Sequence, residues 1–305
     1  MNVRGAIRIG ISGWRYKGWR GVFYPQGLRQ RDELAYAAAR FRTIEINGTF
    51  YSLQRPDYFT AWRDATPEGF VFAVKGPRFI THMLKLNHSD TPLANFFGNG
   101  VLALGAKLGP ILWQFPPSFR FNPEKLAEFF GKLPRDTEAA AKLARRHDHR
   151  INGRAWLRTD TKWPLRYAME IRHESFRCRE FIQLLREHDV ALAVADTVEW
   201  PLLFDVTADF VYCRLHGSEQ LYASGYESKA LDVWARRLTA WSQGRELREA
   251  SRAHPKKAKA ARRDVYVYFD NDAKVRAPFD ALALQKKVDH LLHTGERKRT
   301  AGSRR

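Results

Sequence analysis

The stretch "YAMEIRHESF", residues 167–176, begins as an alternating apolar segment and ends in charged and imidazole side chains. Alternation with a period of two is typical of a β-strand, and it places Tyr167 and Met169 on one face. Glu170 and Arg172 then share the opposite face, near the carboxyl end of the strand. Because this core strand becomes polar only at its end, we expect it to leave the apolar interior there and to enter a binding pocket.

Seven further segments of the 305-residue chain share this strand pattern, and longer helical patterns separate most of them. With residues 167–172, the strand segments are 6–12, 43–47, 70–75, 111–114, 191–196, 210–216 and 264–270. The helical segments are 31–40, 56–65, 92–108, 123–132, 179–187, 229–243 and 278–293, and residues 197–209 show no full helix. Repeated β–α units of this number predict a single TIM-type (β/α)₈ barrel, which belongs to the α/β class.

An open, doubly wound sheet is the alternative architecture. It would need a glycine-rich phosphate loop after an early strand, but "GISGWRYKGW" at residues 10–19 does not follow the dinucleotide fingerprint. The barrel is therefore the preferred prediction, with one domain over residues 1–293 and a basic tail at 294–305 that is expected to be disordered.

Basic residues are concentrated outside the predicted barrel strands. The net charge is +19, and most of the excess lies in two insertions, at about 135–166 and 244–263, and in residues 286–305. Each insertion connects a helix to the next strand, so both are expected at the N-terminal face of the barrel, opposite the pocket. Clustered Lys and Arg predict a possible nonspecific contact with nucleic acid through that face.

The composition excludes several other classes of protein. No apolar run is long enough for a signal peptide or a membrane span, so a cytoplasmic protein without a membrane partner is expected. Cys178 and Cys213 are far apart in the sequence, which argues against a disulfide framework or a cysteine zinc site.

The inward-facing positions become polar toward the C-terminal end of each strand. By alternation these positions are Ser12, Glu45, Asn47, Lys75, Gln114, Glu170, Arg172, Arg214 and His216. Active sites of TIM-type barrels lie at this face, which makes these side chains candidates for a site. Alternation does not decide whether Asp196, Asp270 and Asn271 face inward or outward, and Asn271 is the preferred inward residue.

Several ordered motifs resemble the YecE-like family, domain of unknown function 72, over residues 8 to about 278. The motifs include "IGISGWRYKGWRGVFYP", "TIEINGTFY", "FVFAVKGPRFITH", "EIRHESF", "YCRLHG" and "YFDND". The resemblance implies a TIM-type barrel without an established activity. It also implies that Trp14, Glu45, Asn47, Tyr51, Lys75, Thr81, His82, Gln114, Glu170, Arg172, His173, Arg214, His216, Asn271 and Asp272 lie near the pocket. After the last strand this chain has "FDNDAKVRAP" and departs from the family pattern, so the resemblance assigns no role to that loop.

The first hypothesis is an enzyme that acts on a small phosphorylated or carboxylated substrate by acid–base chemistry, without a predicted cofactor. Glu45 or Glu170 would be the general base and Lys75 or His216 the acid. The predicted substrate-binding residues are Ser12, Trp14, Asn47, Tyr51, His82, Gln114, Arg172, His173, Arg214 and Asn271. Arg172 and Arg214 would clamp the anion, because guanidinium binds phosphate and carboxylate through paired hydrogen bonds.

Three alternatives stay open at this stage. A metal-dependent phosphodiesterase resembling endonuclease IV, or an isomerase, would use a divalent metal held by some of Glu45, Glu170, Asp196, His173, His216 and Asp272, although neighbouring cations would repel it. A non-catalytic protein would bind nucleic acid through its basic insertions. A purely structural role would pair Glu170 with Arg214, or Glu45 with Lys75, as buried ions that need partners.

Overall fold

The computed structural model describes residues 5–217, 221–222, 224–246, 248 and 251–302, with side chains described up to residue 294. Eight parallel strands close into a barrel in the order in which they occur in the chain. They are β1 (Ile7–Ser12), β2 (Thr43–Ile46), β3 (Val71–Lys75), β4 (Leu108–Gln114), β5 (Tyr167–Glu170), β6 (Val190–Asp196), β7 (Phe210–Leu215) and β8 (Asp264–Phe269). The predicted TIM-type barrel is confirmed.

The described residues also form nine α-helices, most of them between successive strands. They are α1 (Glu33–Ala38), α2 (Gly48–Tyr51), α3 (Pro56–Asp64), α4 (Asp90–Gly98), α5 (Pro123–Lys132), α6 (Thr137–Ala144), α7 (Arg179–Glu187), α8 (Ser228–Ser242) and α9 (Arg276–Gly302). Pro56 and Pro123 open their helices, where a missing backbone N–H costs no hydrogen bond. As predicted, residues 197–209 contain no helix.

The prediction of one helix over residues 92–108 is wrong. The segment forms α4 and then a separate 3₁₀ stretch, Val101–Lys107. Gly100 between them has a positive φ of 115°, and a Cβ on it would lie 2.5 Å from the Cα of Pro56. Only glycine fits this turn against the start of α3, and the apolar pattern of the segment does not reveal it.

The lower part of the barrel interior is closed by small and aromatic side chains. Tyr212 and Tyr268 have ring centroids 5.0 Å apart. The complete inner cluster is Ala73, Leu112, Ala168, Ala191, Ala193, Phe210, Tyr212, Tyr266 and Tyr268. Small residues on β5 and β6 make room for the aromatic rings of β7 and β8, so the middle of the barrel is a packed core beneath the polar C-terminal end.

The outward faces of the strands pack against the helices in the larger apolar core. Met169 on β5 is fully buried there, and α7 contributes Phe181, Ile182 and Leu185. Each such side chain contributes about 1.5–3 kcal/mol by its burial. This layer fixes the strand positions and therefore the side chains at the strand ends.

The first basic insertion is not confined to the N-terminal face. Within it, α6 packs on α4, and the Trp156 backbone N–H donates to the Gly98 carbonyl at 2.8 Å. Further along, Arg154 Nη1 donates to the carbonyl of Gln54 at 2.7 Å. Gln54 follows β2 at the C-terminal side of the barrel, so the predicted placement is wrong for the middle of this insertion, which extends along the outside of the barrel.

The described part of the second insertion lies where it was predicted, close to the N-terminal ends of the strands. Arg263 Nε donates to the Ala208 carbonyl just before β7, and the backbone N–H groups of Ala253 and His254 bind the carboxylate of Asp205. The predicted tail begins at residue 294, but α9 continues through that position to Gly302. Residues 303–305 of that tail lie outside the described residues.

Candidate functional site

A cavity of about 730 Å³ opens at the C-terminal ends of the strands. Its described lining is Gly13, Trp14, Arg15, Tyr16, Ile46, Asn47, Gly48, Phe50, Tyr51, Gln54, Trp62, Lys75, Arg78, His82, Gln114, Arg172, Tyr222, Asp270 and Asp272. The predicted site residues Trp14, Asn47, Tyr51, Lys75, His82, Gln114 and Arg172 are thus brought together around one space.

Arg214 lies beneath this cavity and binds three carboxylates. Its Nη1 donates to Glu170 Oε2 at 2.7 Å, and its Nη2 donates to Asp270 Oδ2 at 2.7 Å and to Glu45 Oε1 at 3.0 Å. Arg214, Glu170 and Glu45 have no exposed surface. The barrel centre therefore holds one guanidinium that compensates acidic side chains from β2, β5 and the end of β8.

The charges of this cluster hold one another in the ionised form. Burial alone would raise the pKa of Glu170, but the Arg214 and Arg172 guanidiniums hold it well below its usual range. Burial would likewise raise the pKa of Asp270, and Arg214, followed by His216, lowers it instead. Both carboxylates are ionised at neutral pH and serve as acceptors.

Glu45 is fully buried, and both of its oxygens already accept hydrogen bonds. Besides Arg214, it accepts hydrogen bonds from the Ser12 hydroxyl and, at 2.5 Å, from the Tyr212 hydroxyl. Asn47 Nδ2 in turn donates to Ser12 Oγ at 3.0 Å. The predicted inward residues Ser12 and Glu45 support the floor of the cavity, and Asn47 connects that floor to the cavity wall.

Arg172 is held firmly at the cavity wall. Its Nε and Nη2 donate to the single oxygen Glu170 Oε1 at 3.0 and 2.9 Å. Its guanidinium carbon lies 3.6 Å from the ring centroid of Trp200, and Tyr222 Oη is 3.4 Å from Nη2. An ion pair on one edge and an aromatic ring on one face leave the remaining donors of Arg172 for a ligand.

Lys75, at the end of β3, has a different environment from both arginines. Its Nζ donates to Gln114 Oε1 at 2.9 Å and lies 4.3 Å from the ring centroid of Phe50. The residue is only 6% exposed, and no carboxylate among the described residues lies within ion-pair distance of it. Burial, with Arg214 as the second cause, lowers the pKa of Lys75 to about 8. The structural alternative that paired Glu45 with Lys75 is wrong, whereas the pairing of Glu170 with Arg214 is confirmed.

Two further titratable groups line the cavity. Burial, with the charge of Arg172 as the second cause, lowers the pKa of His82 to about 4, and His82 Nδ1 lies 2.9 Å from the Thr81 hydroxyl. Burial, with Asp270 as the second cause, raises the pKa of Asp272 to about 6. At neutral pH the imidazole is therefore neutral, and Asp272 titrates close to that pH.

The predicted residues His173 and Asn271 lie away from the cavity wall. The His173 ring accepts the backbone N–H of Ser175 at 3.0 Å and so caps the short 3₁₀ turn Glu174–Phe176. Asn271 Nδ2 donates to the Asp280 carboxylate on α9 at 2.8 Å and to the Ser224 carbonyl. The preference for Asn271 as the inward residue is wrong, and Asp270 takes that place.

His216 is fully buried next to the Arg214 cluster. Its Nδ1 lies 3.3 Å from Asp270 Oδ2 and its Nε2 3.7 Å from Glu170 Oε2, but neither nitrogen forms a well-directed hydrogen bond with a described residue. Trp200 and Tyr222 pack edge-on against the ring, with centroids at 5.5 and 5.4 Å. His216 is thus separated from the cavity by these aromatic rings.

The structure does not bring the six predicted metal ligands together. Asp196 accepts from the Trp234 indole at 3.0 Å, and His173 is used in its cap. Glu45 and Glu170 are bound to Arg214. In the described part of the chain, no three His, Cys, Asp or Glu side chains are grouped as a metal site would require.

Sequence reasoning left the face of one important site residue undecided and missed two others. Asp270 could have been found, because Tyr266 and Tyr268 of β8 face inward and the next position of that parity is 270. Arg78 and Trp200 follow strands in segments without a regular pattern, and Trp200 contacts Arg172 only through the tertiary fold. No local signal identifies either of them.

A family model described as "Protein of unknown function DUF72" matches residues 8–301. The chain belongs to the DUF72 family. This confirms the resemblance to the YecE-like proteins. No helix of this DUF72 protein, within the residues described, is both long and apolar enough to cross a bilayer.

Curated relatives match a shorter region of the chain. UPF0759 protein YecE of Escherichia coli (strain K12) is 31% identical over 145 residues, which is 41% of this chain and 51% of YecE. UPF0759 protein YunF of Bacillus subtilis (strain 168) is 28% identical over 126 residues, which is 40% of this chain and 44% of YunF. The chain thus spans about half the length of the curated relatives it matches.

Solved structures match almost the whole DUF72 chain. A DUF72 family protein from Thermotoga maritima MSB8 has a TM-score of 0.68 and 25% identity, covering 93% of this chain and 99% of that one. A DUF72 family protein from Enterococcus faecalis V583 has a TM-score of 0.64 over 93% of this chain and 95% of that one, and at 17% identity it supports the fold alone.

Proposed function

We propose that this protein is an enzyme that binds a small phosphorylated or carboxylated substrate in the cavity at the C-terminal strand ends. One observation carries the proposal: the described lining contains four cationic side chains but only two carboxylates. The cations are Arg15, Lys75, Arg78 and Arg172, and the carboxylates are Asp270 and Asp272. Asp270 is bound to Arg214 and Arg172 to Glu170, so the remaining charges of the described lining are three cations and one carboxylate, an excess of positive charge.

An anion would meet its best partner in Arg172. The guanidinium is positioned by Glu170 and Trp200 and has little freedom to lose on binding, which favours affinity. Trp14 is 6% exposed and Tyr51 is 66% exposed at the rim, so an apolar portion of the substrate has aromatic surface to contact.

Proton transfer falls to residues other than the predicted glutamates. Glu45 and Glu170 are engaged by Arg214 and position the cations, so we assign them a supporting role. Lys75 and Asp272 line the cavity and have pKa values of about 8 and about 6, close to the pH at which a general acid or base works best.

The reaction class, a cytoplasmic location and a nonspecific contact with nucleic acid stay predictions. Contact through the basic insertions would weaken steeply with salt, because counterions are released from the phosphates. Binding in the cavity should instead depend on Arg172, which separates the two modes of binding.

The test is a thermal-shift and calorimetric screen with inorganic phosphate, sugar phosphates, nucleotides and small carboxylates. A stabilising anion should lose at least about tenfold in affinity in Arg172→Ala, since a charge-assisted hydrogen bond is worth about 1.5–3 kcal/mol. Arg146→Ala is the matched control: it removes the same charge from an exposed side chain in the first insertion, away from the cavity lining. Equal loss in both variants, or no anion bound at all, would overturn the anion pocket.

A further inference from the structure

Lys75 is a buried amine that has no ionic partner within the described part of the chain. Buried lysines are almost always paired, because an isolated ammonium loses its hydration. Here Arg214 binds Glu45, Glu170 and Asp270, and Lys75 is left with the Gln114 amide oxygen and the face of Phe50. Of the three hydrogens that an ammonium would carry, only one has a hydrogen-bond acceptor among the described residues.

This environment favours the neutral amine, which is the nucleophilic form of lysine. With a pKa of about 8, roughly one tenth of Lys75 is neutral at pH 7, against about 0.04% for an ordinary lysine. The same amine lines the cavity, so a small molecule can reach it. Burial and access are both needed for covalent catalysis by lysine.

We propose that Lys75 forms an imine with the carbonyl carbon of an anionic aldehyde or ketone bound in this cavity. The inference rests on the proposed function, because it assigns the anionic group of the substrate to Arg172 and Arg78. The Lys75 nitrogen gives its lone pair to the carbonyl carbon, and the C–O bond breaks. The carbonyl oxygen leaves as water with the two hydrogens of the amine, so that a C=N bond remains and no oxidant or reductant is consumed.

The groups around the amine suit this step. Water formation needs proton delivery to the departing oxygen, and Asp272 and His82 line the same cavity. Asp272, with its pKa of about 6, is partly protonated near neutral pH and can supply that proton. Gln114 Oε1 accepts from Nζ and keeps the nitrogen at the cavity wall.

The experiment uses pyridoxal 5′-phosphate, an aldehyde that carries a phosphate, as the probe. The full chain at pH 7 is mixed with an equimolar amount, reduced with borohydride and digested, and labelling is quantified at each lysine by mass spectrometry. Lys75 is expected to be labelled at least tenfold more than the exposed Lys17, and excess inorganic phosphate should reduce labelling at Lys75 only. Lys75→Arg should lose that label and leave the label on Lys17 unchanged.

Comparison with pyridoxal, which lacks the phosphate, separates this inference from the proposed function. Strong labelling of Lys75 by both aldehydes, unaffected by phosphate, would support the reactive amine and overturn the anion clamp. Phosphate binding that depends on Arg172, with Lys75 labelled no more than Lys17, would leave the anion pocket standing and overturn the imine. The wild-type labelling pattern decides this even if the Lys75→Arg protein does not fold.

Discussion

Arg214 and Lys75 are both cations at the inner ends of barrel strands, yet their surroundings are opposite. Arg214 has no exposed surface and binds three carboxylates, whereas Lys75, 6% exposed, has an amide and a phenyl ring. Three acidic side chains of the site thus share one cation, Arg214, and one of them, Glu170, also binds Arg172. The cations that face the cavity, Lys75 among them, are therefore available to a ligand.

The comparison also separates structural from functional charge. A buried ion cluster contributes little net stability relative to apolar packing, because desolvation offsets the attraction between its charges. The removal of one member is costly, however, since the other charges are left buried without a partner. The Arg214 cluster should therefore be sensitive to substitution, and the Lys75 position should tolerate loss of its charge.

The largest effect is expected for Arg214→Met. Glu45, Glu170 and Asp270 would lose their common partner inside the barrel, and the free energy of unfolding should fall by about 3–5 kcal/mol. Urea unfolding followed by circular dichroism measures this loss, with Arg146→Met as the exposed control. A change below about 1 kcal/mol would contradict the assignment of Arg214 as the partner of all three carboxylates.

The second effect concerns Lys75→Met and its dependence on pH. The native Lys75 has a pKa of about 8, below the unfolded value of about 10.4, so the unfolded state binds more protons between these pH values. Lys75 therefore lowers the free energy of unfolding most below pH 8, and this loss becomes smaller as the pH rises toward 10.4. The stability of the variant relative to wild type should be greater at pH 7 than at pH 10, by about 2.5 kcal/mol.

Urea unfolding of both proteins at pH 7 and pH 10 gives the difference in the free energy of unfolding between variant and wild type at each pH. The change in this difference between the two pH values isolates Lys75, because the contributions of the other titrating groups cancel. Lys17→Met, at an exposed position, should show no such difference between pH 7 and pH 10. A Lys75→Met protein whose relative stability is the same at both pH values would mean that the native amine is not perturbed.

A smaller effect is expected for Trp200→Ala. The indole lies under the Arg172 guanidinium and contributes about 0.5–1 kcal/mol to its placement. The affinity for a stabilising anion should fall by about two- to fivefold, and calorimetric titration of the best anion would detect this. Unchanged affinity would show that Glu170 alone orients Arg172.

The last effect concerns Asp272→Asn and its dependence on pH. The native pKa of Asp272 is about 6, above the unfolded value, so the native state binds more protons between about pH 4 and 6. The contribution of Asp272 to stability is present below pH 4 and is lost as pH rises through 6. Wild type should therefore lose more stability than Asp272→Asn between pH 4 and pH 7. Parallel stability profiles for the two proteins would contradict the raised pKa.

The sequence predicts the barrel well, because its strand signal is local. Alternation in residues 167–172 and 210–216 identifies the outward apolar set and, with it, Glu170, Arg172 and Arg214 as inward residues. Gly100 marks the limit of such reasoning. It divides a continuous apolar segment because of its contact with Pro56, which only the packed structure reveals.

Many members of the site were predictable, but their pairing was not. Alternation places Glu45, Lys75 and Arg214 at one end of the barrel, but it does not say which cation takes the carboxylate. That choice depends on distances across the barrel, since Arg214 on β7 reaches Glu45 on β2 at 3.0 Å. Asn271 shows the same limit, because its partner Asp280 lies on α9 rather than in the barrel.

The most direct test of the division between Arg214 and Lys75 is the titration of Lys75 itself. Lysine side chains labelled with ¹³C can be followed by NMR between pH 6 and pH 11, and Lys75→Arg assigns the signal. The structure predicts that Lys75 titrates near pH 8, well below the exposed lysines. A Lys75 that titrates with the others near pH 10.4 would show that this cation has a counter-charge and would contradict the account.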